Sequence, residues 1–162
     1  MRRENDPLLS YRFSLELGFV QVAGFQECTG LSKETKLMEY KEGGRNSSVL
    51  KFPDGGSISN IVLKRGVMTD ATADVLYKWH HDVMAGEFEE SNNPNLRPFD
   101  ADEDISTRCS IILMNERGEE MKRWSLVRAF PVKWTGPDLK SGSSETALES
   151  LELACEGIEL VD

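Results

Sequence analysis

Strict alternation of apolar and polar residues near the start of the chain constrains the fold more than any other feature. Residues 11 to 17 read YRFSLEL, a period of two that is typical of a strand with one buried face. The apolar face holds Tyr11, Phe13, Leu15 and Leu17. The other face holds Arg12, Ser14 and Glu16. We expect this second face to point to solvent, because its side chains are polar. A register error of one residue would reverse the direction of every side chain.

Most of the remaining sequence is also predicted to form strands. The predicted strands are Val20–Val22, Phe25–Thr29, Glu34–Tyr40, Ile61–Arg65, Cys109–Met114 and Arg123–Val132. A hairpin turn over Asn115 to Glu119 joins two of them. The stretch Leu151 to Cys155 fits both a helical stripe and strand alternation. We predict a strand there, because the neighbouring carboxylates would be poorly paired on a helix.

One segment has helical periodicity. Its apolar residues are Val75, Leu76, Trp79 and Val83. Their spacing of three and four predicts a helix from about Asp70 to Met84, with Asp70 as its cap and Gly86 at its end.

The predicted fold class is mostly β with one main helix, in an antiparallel sandwich or barrel. A sheet with one apolar face needs a cover, and a helix of this length covers only part of it. A second sheet, barrel closure or neighbouring subunits must cover the rest.

Two long segments are predicted to be irregular. Lys41 to Asn60 is rich in glycine and polar residues, with a short strand over Val49–Phe52. Loops of this length are uncommon unless they are functional, so we expect it to contact a neighbouring subunit. A hairpin folded back on its own sheet is the alternative. Glu87 to Asp104 is acidic and is predicted to be a solvated loop.

Composition excludes several classes of protein. The formal net charge of -9 argues against general binding of nucleic acid or anionic lipid. The sequence contains no apolar run long enough for a membrane anchor, and no apolar stretch typical of a signal peptide follows the basic start. We therefore expect synthesis in a reducing cytoplasm. Cys28, Cys109 and Cys155 are too scattered for a disulfide framework or a zinc site, and we expect them to pack as small apolar residues.

The sequence predicts neither a catalytic centre nor a metal site or cofactor. His80 and His81 are adjacent, so on a helix they point about 100° apart and cannot easily share a metal ion. No HExxH, CxxC or phosphate-binding glycine motif is present. The tryptophans are better explained by core packing than by stacking on bases or sugars.

Six stretches of the chain together resemble one known family. They are residues 6–13 (DP…YRF), 23–31 (AGFQECTGL), 40–53 (YKEGGRN…KFP), 60–66 (NIVLKRG), 123–134 (RWSLVRAFPVKW) and 149–154 (ESLELA). Their order and spacing resemble those of the T4-like tail-tube proteins of contractile phage tails, R-type pyocins and extracellular contractile injection systems. The sequence departs from the family pattern at its PDGG turn (residues 53–56) and in its acidic loop.

The resemblance implies a non-enzymatic inner-tube subunit, with the whole chain as a single tail-tube domain. Subunits would form stacked hexameric rings, their sheets joining into one ring-wide β-barrel around a lumen. Sheath contraction would drive this conduit through a target envelope. The implied partners are other copies of the chain, the sheath protein, the baseplate hub and spike and the terminator proteins. Effector cargo is a candidate occupant of the lumen, and nucleic acid only if the particle is a true phage.

The resemblance also implies site residues. The candidates for subunit contact are Tyr40, Glu42, Gly43, Gly44, Arg45, Asn46, Val49, Lys51, Phe52, Pro53, Lys64 and Arg65. The candidates for facing the lumen are Arg12, Ser14 and Glu16. Two alternatives remain open: a tube paralogue that forms the first rings on the baseplate, and a monomeric β-sandwich that binds a ligand or effector in an aromatic-lined site.

Overall fold

Antiparallel strands dominate the computed structural model, which describes residues 12–18, 20–22, 24–44, 48–69, 73–85, 109–142 and 144–161. The strands are β1 (Phe13–Leu17), β2 (Val20–Val22), β3 (Phe25–Thr29), β4 (Lys33–Tyr40), β5 (Leu50–Ile58), β6 (Ile61–Gly66), β7 (Cys109–Met114), β8 (Glu120–Val127), β9 (Phe130–Thr135), β10 (Leu148–Ala154) and β11 (Gly157–Val161). The described residues contain one helix, α1 (Val75–Ala85). The predicted class, mostly β with one main helix, is confirmed.

Within the described ranges the strands form three sheets. A five-stranded sheet has the order β11-β8-β7-β1-β2, and a four-stranded sheet has the order β3-β6-β10-β9. Strands β4 and β5 form a separate two-stranded sheet. The pairings between neighbouring strands are antiparallel.

One apolar core lies between the two larger sheets. The five-stranded sheet contributes Leu15 and Ile111, and the four-stranded sheet contributes Leu63 and Leu151. The stacked rings of Phe13 and Phe25, 6.1 Å apart, join β1 to β3. The predicted burial of Leu15 and Leu17 is therefore confirmed, while Tyr11 lies outside the described residues.

Helix α1 covers part of this core. Leu76 and Trp79 are buried, and Val75 and Val83 pack against them at the edge of the core, as their spacing predicts. The predicted cap Asp70, the stop at Gly86 and the acidic loop Glu87–Asp104 lie outside the described residues. No helix in the described part of the chain is long and apolar enough to cross a membrane.

The sheets are joined at a corner that the sequence analysis placed inside one strand. The prediction of a single strand over Arg123–Val132 is wrong, because the chain turns at Arg128, whose φ is +49°. Strand β8 stays in the five-stranded sheet and β9 enters the four-stranded sheet. Strands β10 and β11 make the reverse crossing beside it, and the Glu156 amide donates to the Val127 carbonyl at 2.9 Å. Bends of this kind let strands pass between packed sheets.

The last part of the chain is confirmed as strand rather than helix. The predicted stretch belongs to β10 except for its last residue, Cys155, which follows the end of the strand; Leu151 and Leu153 alternate into the core. Strand β11, which the sequence analysis did not predict, follows at once and forms an edge of the five-stranded sheet.

Candidate subunit-contact surface

Strands β4 and β5 extend the β3–β6 pair beyond the body of the protein. Strand β3 leads into β4, and β5 leads back into β6, with β3 paired to β6 and β4 paired to β5. We call residues 33–58 the arm. Eight or nine residues per strand at about 3.3 Å each give the arm a length of roughly 25 Å.

Gly30 makes the junction between arm and body possible. Its φ is +88°, and a Cβ at this position would lie 2.0 Å from the carbonyl oxygen of Asn60. Only glycine combines this backbone conformation with such a close approach. The amide of Ser59 then donates to the carbonyl of Ser32 at 3.4 Å. This bond joins the two segments of the ribbon at the point where the β3–β6 pairing gives way to the β4–β5 pairing.

The arm is exposed along almost its whole length. Every residue of β4 is exposed, and β5 is exposed except at its half-buried ends, Leu50 and Ile58. The sequence analysis predicted only a short strand at Val49–Phe52 in a long loop, and this is wrong in extent. Strand β5 continues through Pro53 to Ile58 because β4 offers it a partner over the whole length.

The outer half of the arm has two different faces. Met38 lies opposite Phe52, and Tyr40 lies opposite Leu50, so these four apolar side chains share one face. Met38, Tyr40 and Phe52 are 53%, 56% and 46% exposed. The opposite face carries the ion pair Glu39–Lys51, with Nζ and Oε1 3.7 Å apart. The arm therefore presents an apolar face that its own chain leaves uncovered.

The predicted contact residues of this region are found on the arm or at its turn. Tyr40, Lys51, Phe52 and Pro53 belong to β4 and β5. Glu42, Gly43, Gly44 and Val49 are exposed in the connection between these strands. Arg45 and Asn46 lie outside the described residues. Every described member of this set is accessible to a neighbouring molecule.

The remaining two predicted contact residues have different environments. Lys64 lies on the outer face of the four-stranded sheet, where its Nζ is 3.1 Å from Oε2 of Glu27. Arg65, by contrast, is 0% exposed. Its prediction as a subunit-contact residue is therefore contradicted, because alternation along β6 turns it into the core of its own protomer.

Arg65 is the centre of a buried polar row. Its Nε donates to Glu149 Oε1, and Trp134 Nε1 donates to Glu149 Oε2 at 3.1 Å. Its Nη2 donates to the carbonyl of Ala73, just before α1, at 2.6 Å. The guanidinium carbon lies 6.0 Å from the ring centroid of Phe25. This row connects all four strands of the sheet to the start of the helix, and the sequence analysis missed it.

The predicted lumen face of β1 is less open than expected. Ser14 is 0% exposed and accepts a hydrogen bond from Gln21 Nε2 at 2.8 Å. Its predicted exposure is therefore contradicted in the protomer. Ser110 and Ser125, which lie on the same face of the sheet, are also buried. Only Arg12 is exposed, while Glu16 is half-buried.

Glu16 takes part in a surface ion cluster. Arg123 donates to Glu16 Oε1 at 2.6 Å and to Glu120 Oε1 at 2.7 Å. The hydrogen bond from Arg123 holds the pKa of the Glu120 carboxyl below its ordinary value. The two carboxylates in turn raise the pKa of Arg123, with the Glu120 bond as the larger cause. The cluster fixes charges on one sheet face and has no nucleophile within it.

Three features bear on whether the described residues hold a reactive or ligand-binding site: the cysteines, possible metal ligands and one cavity. Burial raises the pKa of the Cys28 thiol to about 11, and raises that of Cys109 further. In the described ranges no group of three or more His, Cys, Asp or Glu side chains could hold a metal ion. A cavity of about 700 Å³ is lined by residues 138–141 and 145–148, none of them aromatic. It lacks the aromatic lining that the binding-module alternative predicts.

Comparison with known proteins decides the family. A family model described as T4-like virus tail tube protein gp19 matches residues 9–159. The chain belongs to this tail-tube family. The resemblance drawn from the sequence motifs is thus confirmed, and the chain is a structural component of a phage tail or phage-tail-like particle, not an enzyme.

Solved structures of several assemblies contain chains with a similar fold. A chain in the anti-feeding prophage tube-terminating cap is 25% identical with a TM-score of 0.70, covering 99% of this chain and 95% of that one. A chain in the anti-feeding prophage baseplate is 25% identical with a TM-score of 0.71, covering 97% of each. A chain in the sheath-tube complex of an extracellular contractile injection system shares the fold at 22% identity, with a TM-score of 0.71 and coverage of 98% and 93%. No curated protein matches the chain closely enough to add to these findings.

Proposed function

We propose that this chain is the inner-tube subunit of a contractile tail or injection particle. Its copies form stacked hexameric rings around a lumen, and sheath contraction drives the resulting conduit through a target envelope. The observation that carries the proposal is the arm, whose apolar face leaves Met38, Tyr40 and Phe52 exposed in the protomer beside the half-buried Leu50.

The arm's chemistry fits a second copy of the chain as its partner. An exposed two-stranded ribbon is marginal in water by itself, and burial of its apolar face would stabilise it. Strands β4 and β5 also have open edges that can pair with a strand of another molecule. In a tail-tube protein, the molecule present at the highest local concentration is another copy.

The four-stranded sheet is the better candidate for the lumen wall. The outer face of the five-stranded sheet is occluded at its centre, where Ser14 is 0%, Ser110 1% and Ser125 5% exposed. The outer face of the four-stranded sheet is polar and accessible at Glu27 and Lys133. This proposal replaces the predicted lumen role of Arg12, Ser14 and Glu16. Joining of the four-stranded sheets edge to edge would close a ring-wide barrel.

Membership of the tail-tube family supports proposals for the other partners. The relatives with solved structures come from a sheath-tube complex, a baseplate and a tube-terminating cap. We propose contacts with a sheath protein on the outside and with baseplate and terminator proteins at the two ends. The whole chain acts as one tail-tube domain that is made in the bacterial cytoplasm and assembled into the particle.

A baseplate-proximal ring is the second candidate. The 25% identity to a chain in the anti-feeding prophage baseplate, over 97% of each chain, supports it. The two candidates differ in copy number. A main-tube subunit is present in many rings per particle, whereas a baseplate-proximal subunit is present in one or a few. Quantitative mass spectrometry of purified particles distinguishes them.

The decisive test of assembly uses the two faces of the arm. Met38→Ser with Phe52→Ser removes apolar groups from one face. Glu39→Ser with Lys51→Ser changes the opposite face at adjacent positions of the same strands and serves as the matched control. We expect wild type and the control to give rings or tubes in negative-stain images and the apolar-face variant to stay monomeric but folded. Tubes of normal length from the apolar-face variant would contradict the proposed role of the arm.

A further inference from the structure

The outer face of the four-stranded sheet carries its charges in an ordered pattern. Strand register aligns the side chains into rows that run across the sheet. The first row is Glu27, Lys64, Ser150 and Thr135. The second row is Thr29, Val62, Glu152 and Lys133. Each row holds one carboxylate, one lysine and two uncharged residues.

The opposite charges within each row are neighbours. In the first row, Lys64 Nζ is 3.1 Å from Glu27 Oε2. In the second row, Lys133 lies directly opposite Glu152, whose Oε1 also accepts a hydrogen bond from Asn60 Nδ2 at 2.8 Å. Both rows are therefore neutral, although the chain as a whole carries a net charge of -9. The acidic excess lies elsewhere on the molecule.

Neutral rows have a consequence for any cargo that moves along the wall. A ring with unbalanced charge inside a protein-walled channel focuses its field and creates a site that holds ions of opposite sign. Adjacent opposite charges cancel beyond about one Debye length, roughly 8 Å at physiological salt. Every ring repeats the same rows. A wall in which the charges of each row cancel therefore has no repeated sites of net charge that would hold a passing molecule.

We propose that this face is a neutral track for a polypeptide cargo, an inference that rests on the proposed lumen position of the four-stranded sheet. Polypeptides carry charges of both signs, so a wall with an excess of either sign would bind part of the cargo. A polyanion such as a nucleic acid would be kept off better by an acidic wall. The chain carries more carboxylates than basic side chains and could therefore form an acidic wall. In these two rows, however, the carboxylates equal the lysines in number.

The test is retention of a polyanion by assembled tubes. A fluorescent single-stranded oligonucleotide is mixed with tubes at low salt, and the tubes are sedimented. Surfaces outside the two rows carry the net negative charge of the chain and repel the negatively charged oligonucleotide. We expect wild-type tubes to retain only the background amount that sediments non-specifically. Tubes of Glu27→Gln with Glu152→Gln, which leave Lys64 and Lys133 without their carboxylates, should retain at least about ten times more, and salt should abolish the difference.

Controls separate this inference from the proposed function. Glu116→Gln with Glu159→Gln removes the same charge from exposed positions outside the two rows and should retain no oligonucleotide. If the double variant does not assemble, Glu27→Gln alone frees one lysine per protomer and should still retain the probe. Well-formed wild-type tubes that retain the oligonucleotide, or variants that retain no more than the control, would overturn the neutral track alone. Failure of wild type to form tubes would instead contradict the proposed function.

Discussion

The arm and the β3–β6 pair of the four-stranded sheet are built from the same two lengths of chain, yet their environments differ completely. Strand β6 alternates between buried and half-buried residues, with Ile61 and Leu63 at 0% exposure. Strand β4, part of the same antiparallel ribbon, is exposed at every residue. The change occurs at Gly30 and Asn60, where the ribbon leaves the body.

This difference shows which part of the molecule its own chain stabilises. Burial of a leucine or isoleucine side chain contributes about 1.5–3 kcal/mol, and β6 and β10 each provide such residues to the core. Met38, Tyr40 and Phe52 of the arm keep about half of their surface in water. Stability of the body is therefore complete in one protomer, whereas the arm can gain further stability from another molecule.

The largest effect should come from the core beneath the helix. Trp79 is 4% exposed, so Trp79→Ala should lower the free energy of unfolding by about 3–5 kcal/mol. Met84→Ala, at a position 74% exposed on the same helix, is the control and should change little. Chemical denaturation of the dispersed protein measures both. Equal stability of the two variants would mean that α1 does not help to hold the body together.

Breaking the buried polar row should cost nearly as much. Glu149→Leu leaves the Arg65 charge buried without its carboxylate, and we expect a loss of about 3 kcal/mol. The double variant Arg65→Met with Glu149→Leu removes both charges and should recover most of that loss. No recovery in the double variant would show that hydrogen bonds to Trp134 and Ala73, rather than charge pairing, dominate this site.

A moderate effect is expected at the junction between the two regions. Gly30→Ala adds a Cβ that would meet the Asn60 carbonyl, and we expect a loss of about 2 kcal/mol together with a displaced arm. Gly55→Ala has a similar φ of +74° but nothing within 4 Å of the added Cβ. Thermal unfolding of both variants separates backbone strain from close approach. Equal effects would mean that the close approach at Gly30 can relax freely.

The smallest effect should be found on the arm itself. Phe52→Ala in the dispersed protomer should change the free energy of unfolding by less than about 0.5 kcal/mol, because the side chain is 46% exposed and lies outside the core. Denaturant unfolding at low protein concentration measures it. A loss comparable to that of Trp79→Ala would show that the arm packs on its own body and would remove the distinction between the regions.

Periodicity predicted most of the body because each strand or helix there carries its own repeating pattern of buried residues. The alternation around Leu15, Leu151 and Leu153 and the helical spacing of Leu76 and Trp79 all correspond to core positions. The break at Arg128 could not be predicted, since a non-glycine residue with positive φ has no clear sequence signal. Strand β11 was missed because its partner β8 is distant in sequence.

The site was predicted less completely because its features depend on register between distant strands. Arg65 and Glu149 are far apart in sequence and meet only when β6 and β10 pair, so each resembled a surface charge. Ser14 is buried although alternation placed it on the polar face of β1. The two faces of the arm could be assigned only once the register of β4 against β5 was known. A bulge near Lys36 shifts that register so that Met38 lies opposite Phe52.

Hydrogen exchange of the arm's backbone amides shows whether the body is stable in a single protomer while the arm is stabilised by a neighbouring copy. In dispersed protein, amides of β4 should exchange much faster than those of β6 and β10. In assembled tubes, those of β4 should become strongly protected, while β6 and β10 change little. Arm amides that exchange equally fast in both states, or slowly in the dispersed protomer, would contradict the account.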